Sequence, residues 1–156
     1  MICVKEGQKA PLFSLPASNG KTVTLKDFRD KKNVVLYFYP KDDTPGCTTE
    51  ACGFRDRFET IKKTGAAILG VSPDSLKKHE KFVEKYELPF LLLSDEDKAL
   101  CEKYGVWVEK SMYGRKYMGV ARATFVIDRG GRVVKKFCKV RPREHAEEVF
   151  EVLKGL

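Results

Sequence analysis

Asn33-Val-Val-Leu-Tyr-Phe-Tyr-Pro-Lys-Asp-Asp-Thr-Pro-Gly-Cys-Thr-Thr-Glu-Ala-Cys52 changes character at its middle, and its reading decides the fold. Its first seven residues, Asn33 to Tyr39, are almost all apolar, β-branched or aromatic, the signature of a strand buried on both faces of a sheet. Pro40 ends that strand because it has no N–H to give to a ladder. After Thr44-Pro-Gly the apolar positions Cys47, Ala51, Phe54, Phe58 and Ile61 recur at spacings of four, three, four and three, the stripe of a helix. Thr44 is its expected N-cap and Pro45 its first residue, so Cys47 falls in the first turn on the inward side.

That position matters chemically. The nucleophilic form of cysteine is the thiolate, and the unpaired N–H groups and positive dipole end of a helix N-terminus favour an anion. A free thiol is only ~3% ionised at pH 7, so small electrostatic gains multiply the nucleophile. Five residues on, Cys52 lies off the stripe beside Arg55 and Glu59. On an ideal helix its Cα would be roughly 8.6 Å from that of Cys47 and about 140° round the axis, whereas a disulfide needs about 7 Å or less. If the two pair, the first turns of the helix must unwind.

Outward from this stretch the chain alternates strands and helices. Residues 13–15 and 22–25, joined through Asn19-Gly20, read as a hairpin, and Asp27-Phe28-Arg29 as a short helical turn. The helix carrying Cys47 is expected to run to about Lys63 and stop near Gly65. Residues 66–72 and 89–94 read as buried strands. Between them Pro73-Asp-Ser75 begins a helix, with Leu76, Phe82, Val83 and Tyr86 inward. Residues 97–104 read as a short helix, and 107–119, without a clean period, as a loop covering part of the site. A hairpin over 123–128 and 132–137 and a helix over 144–153 complete an α/β sandwich with a mixed sheet.

The 156 residues are one domain's worth, with no apolar run of membrane-spanning length and no secretory signal, so a cytoplasmic location is expected. The five cysteines are an odd number, with no repeated CxxC, which argues against a secreted disulfide framework and a zinc site. His79 and His145 have no cysteine or acid at metal-ligand spacing and are assigned no catalysis. No GxGxxG, P-loop or haem motif occurs, so no cofactor and no metal are expected. The net charge of +8 comes from lysines interleaved with acids, as in 77–85, which reads as solvated surface rather than a nucleic-acid patch.

Pro40-x-x-x-Thr44-x-x-Cys47, the second cysteine at Cys52, Phe13-Ser-Leu-Pro16, Leu93-Ser-Asp-Glu96, the run Tyr104 to Lys110 and Arg122-Ala-Thr-Phe-Val-Ile-Asp128 together resemble the peroxiredoxins, specifically the bacterioferritin-comigratory or PrxQ type. The resemblance spans nearly the whole chain. It implies one thioredoxin-like domain over 1–156: a central mixed sheet flanked by helices, with an N-terminal β-hairpin. By the same resemblance Cys47 would be the peroxidatic nucleophile, attacking a hydroperoxide to give water or an alcohol and a sulfenic acid. Thr44 would align the peroxide, Arg122 would stabilise the thiolate and the departing oxygen, and Pro40 would shield the sulfenic acid. Glu50 would orient an arginine, or simply favour the helix dipole. Cys52 would resolve the sulfenic acid as an intramolecular disulfide, reduced by thioredoxin or a similar dithiol. Cys101 reads as packing, and a bridge from Cys3 or Cys138 has no support. With both sulfurs on one helix no second subunit is needed, so a monomer is favoured over a dimer. Two other readings stand beside this one. A thioredoxin-like disulfide oxidoreductase would usually carry CxxC, and a basic nucleic-acid-binding or holdase protein would keep the fold without the chemistry.

Overall fold

The computed structural model describes residues 4–156, so Cys3 lies outside the described residues. Its centre is the apolar run read above. β3 (Asn33–Phe38) is buried at every position and lies in the middle of a five-stranded sheet. It runs parallel to β4 (Ala66–Ser72), which is parallel to β5 (Leu91–Ser94). On its other side it is antiparallel to β8 (Ala123–Ile127), itself paired with β9 (Val133–Cys138). The N-terminal hairpin forms as expected from β1 (Ser14–Pro16) and β2 (Thr22–Thr24), followed by a 3-10 turn at Leu25–Phe28. This is the thioredoxin-like arrangement, a mixed sheet between helical layers.

Alternation along β3 divides the core in two. Val34, Leu36 and Phe38 face the layer built on Phe13, Val23, Tyr104 and Phe125, while Val35, Tyr37 and Tyr39 face Cys47, Phe54, Ile61, Phe82 and Val149. Each large side chain so enclosed stabilises the fold by roughly 1.5–3 kcal/mol relative to exposure, which is why both faces of β3 are apolar. The second layer is made of α1 (Pro45–Asp56), α2 (Phe58–Lys63), α3 (Leu76–Tyr86) and α5 (His145–Lys154). A short α4 (Ala99–Lys103) stands on the other face.

Two expectations are corrected. The single helix to Lys63 is bent at Arg57 (φ −103°, ψ 6°), giving α1 and α2. The bonds from Arg57 N to Gly53 O and from Ile61 N to Arg57 O survive, so the bend keeps both Phe54 and Ile61 inward as the helix follows the twisted sheet, and Arg57 pairs with Glu147 of α5. Residues 107–119 are not a loop but a hairpin, β6 (Trp107–Met112) and β7 (Arg115–Val120), in register from Trp107–Val120 to Met112–Arg115. Its two-residue turn, Tyr113-Gly114, has both φ values positive (52° and 77°), the geometry that matches strand twist. Among the described residues, no helix is long and apolar enough to cross a membrane.

Candidate active site

The site forms where β3 ends. Tyr39 N still donates to Val71 O (3.0 Å), and Pro40, lacking a donor, releases the chain into the turn that leads to α1. Phe38 pairs with Ala123 on β8, so the residue before Ala123, Arg122, arrives at this same end of the sheet. Register alone thus brings Arg122 to the start of α1, 75 positions from Cys47 in the chain. Its Nη2–H donates to Cys47 Sγ at 3.3 Å and its Nη1–H to Glu50 Oε1 at 2.7 Å. Gly46 makes room for this approach, since a Cβ there would lie 3.1 Å from Arg122 Nη2.

Cys47 is buried in the first turn of α1, as its place on the apolar stripe requires, and Cys52 is half-buried four residues from the end of that helix. Both thiols are free. Thr44 sits at the N-cap with extended backbone, and its O accepts from Thr48 N (2.8 Å), but its hydroxyl makes no cap bond. Instead Oγ1–H donates to Lys41 O (2.8 Å), leaving the oxygen's lone pairs as acceptors. Pro40 is half-buried at the rim. The structure therefore gathers Pro40, Thr44, Cys47, Glu50 and Arg122 at one end of the sheet, with Cys52 one and a half turns along the helix.

Behind Arg122 lies a buried set of polar groups that local sequence did not reveal. Glu50 is 1% exposed, its Oε2 has no hydrogen-bond partner among the described residues, and His145 Nε2 stands 3.9 Å away. His145, fully buried, lies 2.6 Å from Thr124 Oγ1 and presents its ring between Phe54 and Phe137, while its Nδ1 is unbonded, 3.7 Å from Glu148 Oε1. Burial pushes the Glu50 carboxyl up to about 7 despite the opposing charge of Arg122. Burial, reinforced by Arg122, pushes His145 down to about 4. The half-buried Lys110 on β6 also faces this region. Burial and then the charge of Arg122 lower its ammonium below the usual range, and Cys47 acts in the other direction. Nothing in its neighbouring sequence marks it.

These shifts have opposite signs in stability. Glu50 binds its proton more tightly folded than unfolded, so its contribution is full below about pH 4.5 and is lost as pH rises through 7. His145 binds its proton less tightly folded, so its contribution is full above 6.5 and is lost as pH falls toward 4. The two contributions therefore run against each other between about pH 4.5 and 7 in the native protein. Urea midpoints between pH 4.5 and 7 are expected to rise with pH in Glu50→Gln and to fall with pH in His145→Gln. Identical pH profiles in both variants and the native protein would remove the assignment.

Asp42, Asp74 and His79 bring ligand-type atoms within 4.8 Å of one another. In space, then, His79 does have acids beside it, contrary to its sequence surroundings. The facing atoms are already engaged: His79 Nδ1 with Asp42 Oδ2 (2.6 Å), and Asp74 Oδ2 with Asp42 N and Ser72 Oγ (2.8 and 2.6 Å). The cluster is a hydrogen-bond network first.

Residues 6–136 match the AhpC/TSA family. The chain is 52% identical over 148 residues to a putative peroxiredoxin Bcp of Coxiella burnetii, covering 95% of this chain and 97% of that protein. It is 50% identical over 155 residues to peroxiredoxin Bcp of Bacillus subtilis, covering 99% and 98%. Among solved structures, a C47S mutant of Xylella fastidiosa PrxQ superposes with a TM-score of 0.93 at 36% identity, over 99% of this chain and 98% of that one.

Proposed function

The chain belongs to the AhpC/TSA family, among the peroxiredoxins of the Bcp and PrxQ type, and is a thiol peroxidase; from that premise we propose the cycle by which its own residues work. Cys47 thiolate attacks the terminal oxygen of a hydroperoxide. The S–O bond forms as the O–O bond breaks, sulfur is oxidised to the sulfenic acid, and the departing oxygen takes a proton from solvent as water or alcohol. Arg122 stabilises both the thiolate and the charge building on the leaving oxygen, held in place by Glu50. Thr44 Oγ1 accepts from the peroxide O–H, and Pro40 limits the access of water.

Cys52 then attacks the Cys47 sulfur, the S–S bond forms and water leaves. A continuous α1 holds the two sulfurs apart, so this step requires its first turns to unwind. Thioredoxin or a similar dithiol reduces the bond. Hydrogen peroxide and organic hydroperoxides are the substrates. The trapped intermediates of Xanthomonas campestris bacterioferritin comigratory protein, described for its alkyl peroxide reduction, support the organic class. Both sulfurs lie on one helix, which suits residues 1–156 working as one domain in a monomer, and the dithiol step suits the reducing cytoplasm.

The observation that carries this reading is one guanidinium held 3.3 Å from a sulfur in the first turn of a helix and 2.7 Å from a buried carboxylate. Mass spectrometry after one equivalent of peroxide tests it. The tryptic peptide from Asp42 to Arg55 contains both cysteines. It is expected to lose two hydrogens, to resist alkylation and to recover both thiols with thioredoxin. Linkage of Cys47 to Cys101 or Cys138 would overturn the choice of Cys52.

A further inference from the structure

The turn between Pro40 and Thr44 contains two consecutive acids that the peroxide chemistry does not use, and both are held by α3. Asp42, nearly buried, has Oδ2 2.6 Å from His79 Nδ1 and accepts at Oδ1 from Tyr39 O–H (2.5 Å). The other ring nitrogen of His79 faces Leu93 O at 2.9 Å; a carbonyl only accepts, so Nε2 carries a proton and donates it. Asp43 adopts φ +56°, a left-handed conformation uncommon outside glycine. Its two carboxylate oxygens are taken by Lys85 Nζ and Tyr86 O–H, both at 2.8 Å.

The same helix also holds the far side. Arg55 of α1 donates from Nη1 to Tyr86 O at 2.9 Å. Residues 44–54, which include Cys47 and Cys52, therefore hang between two attachments to α3, at Asp42 and Asp43 before them and at Arg55 after them. Inside that span the hydrogen bonds to other parts of the fold are, among the described residues, those of Arg122 to Cys47 and Glu50.

We propose that α3 is a clamp on the peroxidatic segment, with Lys85 and Tyr86 as positioning residues that act through Asp43 to hold Cys47 in its attacking place. The inference rests on the unwinding of α1 put forward above. With both attachments closed, the first turn is rebuilt in one place each time the disulfide is reduced. With the Asp43 attachment opened, the left-handed residue relaxes, Thr44 and Cys47 leave the guanidinium more often, and the unwound form gains population. Peroxide attack then slows while disulfide formation quickens, because the first needs the folded turn and the second needs it open.

Lys85 and Asp43 are largely exposed, so the effect of one contact is modest, about three- to fivefold. Lys85→Ala combined with Tyr86→Phe, Asp43→Ala and Asp43→Asn are compared by competition kinetics for the peroxide step and by rapid acid quench with thiol alkylation for the disulfide step. The double variant and Asp43→Ala are expected to lower the first rate three- to fivefold and raise the second by a similar factor. Asp43→Asn, which tolerates the left-handed conformation and keeps the Tyr86 contact, is expected to lie closer to the native protein. Both rates unchanged within twofold, or both reduced together as simple destabilisation would give, would overturn the clamp. The peroxide step is measured again in a Cys52→Ser background. A slower attack there supports the clamp even if Cys52 proves not to resolve, and an unchanged one sinks it independently of that reading.

Discussion

Cys47→Ser is expected to lower the rate of peroxide consumption by at least ~10⁴-fold, the largest effect of any single change in this chain. The substitution removes one polarisable sulfur and leaves the geometry, because a serine oxygen fits the same buried position in the first turn of α1 and can still accept from Arg122. A hydroxyl does not ionise at neutral pH even beside a guanidinium, and it lacks the intrinsic nucleophilicity of a thiolate toward the O–O bond. Consumption of hydrogen peroxide coupled to thioredoxin turnover reads the loss directly. Undiminished activity would show that the arrangement of Arg122, Glu50 and Cys47 is structural and that the peroxidase thiol is elsewhere.

The second large effect concerns the fate of the sulfenic acid. Cys52→Ala is expected to react with the first equivalent of peroxide at the native rate and then to stop. The sulfenic acid would be trapped and carried on to sulfinic acid by excess peroxide, with thioredoxin turnover lost. The other described cysteines are less well placed: Cys101 is fully buried and burial pushes its thiol far up, while Cys138 is exposed on the edge strand β9, off α1 and two strands from β3. Retained turnover would identify another thiol as the resolving one, and a native rate for the first equivalent separates this defect from damage to attack.

Features read from neighbouring residues proved legible. The two-sided apolar run gave β3, Pro40 marked its end, and the spacing from Cys47 to Phe54 placed the sulfur inward at the start of α1. The bend at Arg57 was not visible because no proline marks it and the apolar period passes through unchanged; it answers to the curvature of the sheet beneath and to Glu147 of α5. The β6–β7 hairpin was obscured by exposed Met112, Tyr117 and Met118, which blur alternation, although Tyr113-Gly114 between two β-rich runs was the available signal. The histidines show the deeper limit. His79 meets Asp42 across 37 positions, and His145 approaches Glu50 across 95, so nothing in their own surroundings could pair them. What the register of β3 with β8 accomplishes, bringing Arg122 to Cys47, became an expectation from sequence only through family resemblance.

In the proposed cycle both sulfurs ride on a single α1, so its backbone hydrogen bonds would enter the redox balance. Closing the proposed bridge would cost the coil its opening turns, and cleaving it would let them wind again, so part of the driving force for accepting electrons would be conformational. Such a couple would be poised toward the oxidising side relative to a bridge between rigid neighbours, and an ordinary cellular dithiol would suffice to recharge it.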